Sequence, residues 1–216
     1  YTYDELNLYP ATTTNPLSQT TGRIYDYSSG KTKELIDSNG KMFQTVYDPL
    51  DRVKEEKQPD LTTPSTLVTK TTFTYTDNTT PTKVQQIDYL DSSPSADTYN
   101  NFDGLGRIIQ TRKEAEDSNF VVTDIIYNSV GLKDKESLPY FSAGANRTAV
   151  INTPSFYVNY AYDPLRRITE VATVVGETTN AYDQWATTIT DPNGSTKDLT
   201  KDAYGNLTQV NEHNAT

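Results

Sequence analysis

The feature that most constrains this chain is a short pattern that keeps returning: an aromatic residue, Asp, two residues, a small turn residue, Arg, then an aliphatic. It reads Tyr47-Asp48-Pro49-Leu50-Asp51-Arg52-Val53, then Phe102-Asp103-Gly104-Leu105-Gly106-Arg107-Ile108, then Tyr162-Asp163-Pro164-Leu165-Arg166-Arg167-Ile168. Weaker copies are Tyr127-Asn128-Ser129-Val130-Gly131-Leu132 and Lys201-Asp202-Ala203-Tyr204-Gly205-Asn206-Leu207. A relative one residue longer is Tyr25-Asp26-Tyr27-Ser28-Ser29-Gly30-Lys31, and Tyr3-Asp4 and Tyr182-Asp183 are further degenerate starts. Successive copies stand far enough apart for two strands of roughly 5–6 residues and two turns. A second element, Asp37-Ser38-Asn39-Gly40, returns as Asp191-Pro192-Asn193-Gly194. Asn-Gly suits the positive φ angles of a tight hairpin turn.

The motif makes physical sense as a turn. Its Asp accepts hydrogen bonds from amides two or three residues on, and Pro49 and Pro164 preset φ for a β-turn. Gly106, Gly131 and Gly205 stand where a positive φ is needed. Asp51 and Arg166 take that place in two copies; Asp tolerates the left-handed region fairly well and Arg poorly, so the Arg166 turn is expected to differ. The following Arg or Lys is expected to lie across the turn, on its carbonyls or a neighbouring carboxylate. Between turns, Phe156, Val158, Tyr160 and Tyr162 alternate with Tyr157, Asn159 and Ala161, a period of two with one apolar face. Val121, Ile125 and Tyr127 form a similar face, and Phe73 and Tyr75 sit among threonines. No stretch carries a capped 3.6-residue period, and the charged run from Arg112 to Glu116 is too short for a helix. The expected fold is all-β: antiparallel hairpin repeats in a sheet strip. Residues 1–24 read as lead-in strands or a degenerate repeat, 25–211 as the array, and 212–216 as a tail or the start of a further repeat. Loop-like inserts are expected near 58–66, 91–97 and 138–155.

Composition agrees with a thin, half-wet sheet. Only 34% of residues are hydrophobic, against roughly 45–50% in ordinary globular chains. Yet 16 Tyr and 6 Phe argue against disorder, which depletes aromatics. The net charge of −10 and the lack of a basic run exclude phosphate-backbone binding, so nucleic acid is not an expected partner. There is no Cys, hence no disulfide, thiolate metal site or Cys nucleophile. No apolar run reaches the roughly 18 residues of a membrane span. Without an initiator Met or signal peptide, Tyr1 reads as a boundary within a longer chain.

Tyr-Asp-Pro-Leu-x-Arg at 47–52 and 162–167, Phe-Asp-Gly-Leu-Gly-Arg-Ile at 102–108 and Asp-Ala-Tyr-Gly-Asn-Leu at 202–207 resemble YD repeats of the Rhs family. That family includes bacterial Rhs toxins, the cocoon-forming subunits of Tc toxins, wall-associated bacterial proteins and animal teneurins. The resemblance covers roughly residues 22–211. It implies an antiparallel strip that winds into a large hollow shell, which in toxins encloses a C-terminal effector polypeptide. It therefore implies a secreted or cell-surface location and, as partners, neighbouring repeats and an enclosed polypeptide. The family's self-cleaving segment has no match here, so no catalytic residue is carried over.

The residues singled out are accordingly structural: Tyr25, Asp26, Gly30, Tyr47, Asp48, Arg52, Phe102, Asp103, Gly106, Arg107, Tyr127, Gly131, Tyr162, Asp163, Arg167, Asp202 and Gly205, all at repeat turns. His213 is the single histidine, which argues against a histidine triad or multi-His metal site. The Asp37 and Asp191 elements lack the further ligands of an EF-hand loop, and no P-loop or dinucleotide fingerprint occurs. No metal, cofactor or catalytic set is expected. Tyr182 and Trp185 are the candidate glycan contact, the alternative being that such rings line the inner face of the sheet. Three readings follow: a toxin-associated shell segment, an adhesin or glycan-binding stalk, and, behind both, an enzyme. Open sheet edges are expected to invite self-association.

Overall fold

A computed structural model of the chain describes residues 1–90, 93–148 and 157–215, the side chains of 93–95 excepted. Among them are nineteen strands and one 3-10 turn at Glu116–Ser118. The expected all-β antiparallel fold is the fold observed. No helix is long and apolar enough to cross a membrane. The chain divides into two compact units, 1–106 with 112–118, and 107–111 with 119–216.

In the first unit the strands run β1 (Thr2–Tyr3), β2 (Pro10–Thr14), β3 (Thr20–Asp26), β4 (Lys31–Ile36), β5 (Met42–Tyr47), β6 (Val53–Pro59), β7 (Leu67–Thr76), β8 (Thr82–Leu90) and β9 (Ser93–Phe102). Each pairs antiparallel with the next, so this is an uninterrupted meander. Strand direction alternates, and turns therefore fall alternately on two rims. The repeat motifs occupy one rim and the Asp37 element the other.

In the second unit lie the first residues, 108–111, of β10 (Ile108–Glu114), then β11 (Asn119–Tyr127), β12 (Lys133–Ser137), β13 (Tyr140–Ala143), β14 (Tyr157–Tyr162), β15 (Ile168–Thr173), β16 (Gly176–Asp183), β17 (Ala186–Thr190), β18 (Thr196–Lys201) and β19 (Leu207–His213). Strand β11 pairs with β12 through Ile125–Tyr127 and with β13 through Asn119–Val122. The strand β12 also pairs with β14, and the meander then continues to β19.

The core is small and largely polar. In the second unit Phe120, Val122 and Asp124 alternate along β11 and are buried, with Tyr157 and Ser137 beside them. The Asp124 carboxylate accepts from Gln110 Nε2 at 2.7 Å and from the Tyr140 hydroxyl at 2.8 Å, and its amide donates to Ser137 Oγ at 2.8 Å. Main-chain atoms of Thr148 meet the Gln110 amide from above, at 3.3 Å for both donor and acceptor. This corrects the sequence reading of β11, which put Val121, Ile125 and Tyr127 on the apolar face. Both faces carry apolar side chains, and the segment ending at Thr148 decides which one is covered. Tyr157 likewise is buried although it was assigned opposite the apolar residues of β14; Phe156 lies outside the described residues. In the first unit the buried residues include Thr71, Tyr99 and Asn101.

Several expected loops are strand. Gln58 and Pro59 close β6, Ser93–Asp97 belongs to β9, and Tyr140–Ala143 forms β13; residues 91–92 and 149–155 of the expected inserts lie outside the described residues. Arg112–Glu114 is strand, as the missing helical period suggested.

Candidate functional site, a rim of tied hairpins

At Asp48 the carboxylate Oδ1 accepts from the Leu50 and Arg52 amides, both at 2.9 Å, and Oδ2 accepts from Arg52 Nε at 2.8 Å. The Asp51 amide donates to the Asp48 carbonyl and the Asp48 amide to the Arg52 carbonyl, which closes the loop. Asp163 repeats this with Arg167, Asn128 with Val130 and Leu132, and Asp202 with Tyr204 and Asn206. At Asp103 the carboxylate takes the Leu105 amide, and at Asp26 the Ser28 amide and hydroxyl. Each carboxylate thus satisfies amides that the tight loop would otherwise leave bare. Burial pushes the carboxyls of Asp48 and Asp163 up, but the Arg52 and Arg167 amides and guanidinium groups outweigh it and hold both below the usual carboxylate range. The side-chain amide of Asn206 is the main cause of the same lowering at Asp202.

The small-residue position of the motif, its fifth, has positive φ throughout: +77° at Gly106 and, without glycine, +60° at Asp51 and +64° at Arg166. The expectation of a different turn at Arg166 is thereby corrected. The hydrogen bonds around Asp163 match those around Asp48, so the loop imposes the left-handed conformation and Arg166 accepts the strain. The Asp37 and Asp191 elements turn out to be the same loop on the opposite rim: Asp37 accepts from Asn39 and Lys41, and Asp191 from Asn193 and Ser195. Only the glycines there have positive φ, so the tight Asn-Gly turn with two positive φ angles is not formed.

The aromatic residue of the motif does something the pattern did not reveal. The Tyr47 hydroxyl donates to the Thr32 carbonyl at 2.9 Å, Tyr75 to Val53 at 2.8 Å, and Tyr25 to Pro10 at 3.2 Å. In the second unit Tyr127 donates to Ile108 at 3.0 Å, and Tyr162 to Lys133 and Tyr182 to Ile168 at 2.8 Å. Every acceptor is the residue, or next to the residue, that opens the preceding paired strand after a motif turn. Each tyrosine therefore fastens the open end of a hairpin whose closed end is on the other rim. The residue before the acceptor covers the ring in five of the six ties. The guanidinium carbons of Arg52, Arg107 and Arg167 lie 4.0, 4.2 and 4.1 Å from the ring centroids of Tyr75, Tyr127 and Tyr182, within cation–π range. Lys31 stands 5.1 Å from the Tyr47 centroid, and Tyr9 stacks on Tyr25 at 4.7 Å. Arg52 also bonds Asp77 at 2.8 Å.

Sequence reasoning placed the motif Arg across its own turn and missed the ring beyond it, together with Tyr9, Tyr75, Asp77 and Lys133. Tie partners lie between 14 and 29 residues apart, so no fixed spacing exposes them; Tyr75, two residues before Asp77, is the visible trace. Phe102 has no hydroxyl and pairs with Thr82. Of the two glycan candidates, Tyr182 has its hydroxyl on Ile168 and one ring face under Arg167, while Trp185 is 55% exposed at the turn between β16 and β17. His213 lies on exposed β19, 3.3 Å from Asp198. Among the described residues no three His, Cys, Asp or Glu side chains converge as a metal site would need.

Solved structures share this fold. A crystal structure of TcdB2-TccC3 superposes with a TM-score of 0.75 at 16% identity, over 98% of this chain and 14% of that one. A TcdB2-TccC3-Cdc42 crystal structure gives 0.75 at 14% identity, over 98% of this chain and 16% of that one. A Tc holotoxin pore from Photorhabdus luminescens gives 0.68 at 14% identity, over 97% and 17%. The chain thus spans well under a fifth of the length of the chains it matches. No curated protein matches it. The family model described as a domain of unknown function, DUF6443, matches residues 62–188, more than half of the sequence, and the chain belongs to that family.

Proposed function

We propose that this chain is a non-catalytic wall segment of a secreted Rhs/YD-repeat protein, part of a β-shell that encloses or carries a toxin or effector polypeptide. The observation that carries the reading is the recurrence of the tyrosine tie. Six hydroxyls, their carbonyl acceptors and the covering side chains are all engaged in holding neighbouring strands together. The motif carboxylates are equally occupied, by turn amides and guanidinium groups. A motif repeated for chemistry would leave a nucleophile, base or ion site open to substrate; this one spends its polar groups on rigidity. The shared fold with TcdB2-TccC3 structures supports the same reading.

The exposed Trp185 favours a second reading, an adhesin or glycan-binding stalk, because a bare indole is a usual platform for a sugar ring. The two are separated with the full-length protein that contains this segment. In the first reading, polypeptide downstream of the repeats resists added protease while the repeats are intact and is digested once they are unfolded. Digestion of that polypeptide at the same rate in both conditions, together with glycan binding lost in Trp185→Ala, would replace the shell with the stalk.

A further inference from the structure

Two grooves repeat one another, one in each unit, and each lies between two neighbouring motif turns. The first, between the Asp26 and Asp48 turns, encloses about 420 Å³, and the second, between the Asn128 and Asp163 turns, about 460 Å³. Equivalent motif positions line both: the second residue of one turn, and the tyrosine, aspartate, proline and fifth residue of the next. Their charges do not repeat. The first groove holds three carboxylates, Asp26, Asp48 and Asp51, with Lys33. In the second, Asn128 stands where Asp26 does and Arg166 where Asp51 does, so one negative charge is lost and another is replaced by a positive one.

Neither change serves the turn. Asn128 accepts the Val130 and Leu132 amides through Oδ1, as a carboxylate would, and adds an Nδ2 donor that aspartate lacks. Arg166 has φ +64° at the position where Gly106, Gly131 and Gly205 stand in other copies. Its guanidinium makes no hydrogen bond or ion pair among the described residues, whereas that of Arg167 is held by Asp163. Backbone strain of this kind concentrates at ligand sites. Val130, Leu132 and Pro164 give the same groove an apolar wall. A guanidinium fork matches a carboxylate through two parallel hydrogen bonds, and one free positive charge balances a monoanion better than a phosphate carrying a charge of roughly −1.5 to −2. The groove also has the size of a small-ligand site, which runs from roughly 300 to 1,000 Å³. We propose that the second-unit groove binds a monocarboxylate with an apolar body, the Arg166 guanidinium pairing with the acid and Asn128 Nδ2 donating beside it. A small organic acid offers that chemistry, and so does the C-terminal carboxylate of a peptide ending in an apolar residue. The site goes beyond the wall reading and does not depend on it.

Chemical-shift mapping of the chain tests this, with N-acetyl-leucine, N-acetyl-triglycyl-leucine, the C-terminal amide of each, and inorganic phosphate as probes. At least one of the two acids should shift the Asn128 side-chain amide and the Leu132 amide saturably, and its own amide should not. A response to N-acetyl-leucine assigns the site to a small acid, and a response to the peptide acid alone assigns it to a chain terminus. Arg166→Gly removes the cation and relieves the strain, so it should weaken binding about tenfold or more, as loss of a hydrogen bond to a charged group does, with Tm unchanged or raised. Asn128→Asp keeps the acceptor that the turn uses and restores the charge of the first groove, so it should abolish binding with the circular dichroism unchanged. No saturable shift with either acid, equal shifts with the amides, a tighter response to phosphate, or binding undiminished in either variant would overturn the proposal. Protease protection in the full-length protein would be untouched by any of these outcomes, so the wall reading stands or falls separately.

Discussion

The Tyr75 hydroxyl donates to the Val53 carbonyl at 2.8 Å, and Arg52, the neighbour of Val53 in sequence, rests its guanidinium 4.0 Å from the centroid of the same ring. One turn thus supplies both the acceptor for the phenol and the cation for the ring. Tyr75→Phe keeps the ring and removes the bond, leaving a partly buried carbonyl short of a donor. It should destabilise by about 1 kcal/mol. Tyr204→Phe, at 92% exposure, should change nothing measurable. Urea unfolding of both variants checks this, and equal midpoints would show that the tie carries no stability.

Backbone strain gives a second test. Gly106 has φ +77° with open space where a Cβ would stand, so Gly106→Val probes conformation without collision. A β-branched residue in that region should lose roughly 1–3 kcal/mol. Arg166 already endures φ +64°, and Arg166→Gly should gain up to about 1 kcal/mol from relieved left-handed strain. A stabilising Gly106→Val or a destabilising Arg166→Gly, read by thermal melting, would contradict a loop geometry common to both turns.

Much of this fold was legible because the turn chemistry is local. Asp48 reaches amides two and four residues on, and its neighbours in sequence are its neighbours in space; the motif therefore showed the hairpins and the rim. The ties were hidden for the opposite reason. Tyr127 meets Ile108 across a separation of 19 residues, and Tyr162 meets Lys133 across 29, distances set by hairpins of unequal length. The face of β11 was misjudged because alternation marks two faces and does not say which is covered. Val121 and Val122 are equally apolar, and Gln110, which holds Thr148 over the Val122 side, looks in sequence like any surface amide. Glycan contact at Tyr182 and Trp185 was proposed from composition, and an aromatic count carries no information about what already occupies a ring.

The polar core should be intolerant of partial removal. Asp124 is wholly buried and takes one of its carboxylate bonds from Gln110. Gln110→Leu keeps the volume but withdraws that donor and the contacts to Thr148. Leaving a buried acceptor short of its partner should lower stability by about 1–3 kcal/mol. It should also speed amide hydrogen exchange around Thr148, which Tyr75→Phe should not do. Unchanged exchange there would mean that the segment is held by other contacts.

Stability should form a plateau in pH with two different losses at its ends. On the acid side, Asp37 is held below the usual carboxylate range mainly by the Lys41 amide, Asp60 by the Thr62 hydroxyl, and Asp202 by the Asn206 side chain. A lowered folded pKa stabilises above the unfolded value of about 3.9 and is lost as pH falls through the folded one. Loss should therefore begin near pH 4 and deepen below it. On the alkaline side the sign reverses. Burial, then the Asp97 carboxylate that accepts the phenol proton at 2.9 Å, pushes Tyr99 up to about 12. A raised phenol stabilises the fold below the unfolded value of about 10, and this contribution disappears as pH rises from there through the folded value. Burial raises Tyr47, Tyr75 and Tyr160 in the same direction. Tyrosinate absorbance followed against pH should show a late population that ionises above the free phenol value, together with loss of the β-sheet circular dichroism signal. Tyr99→Phe should shrink the late population and leave the acid limb unmoved. Ionisation of every tyrosine near the free phenol value, with the sheet intact, would show that Tyr47, Tyr75, Tyr99 and Tyr160 are not buried as the fold places them.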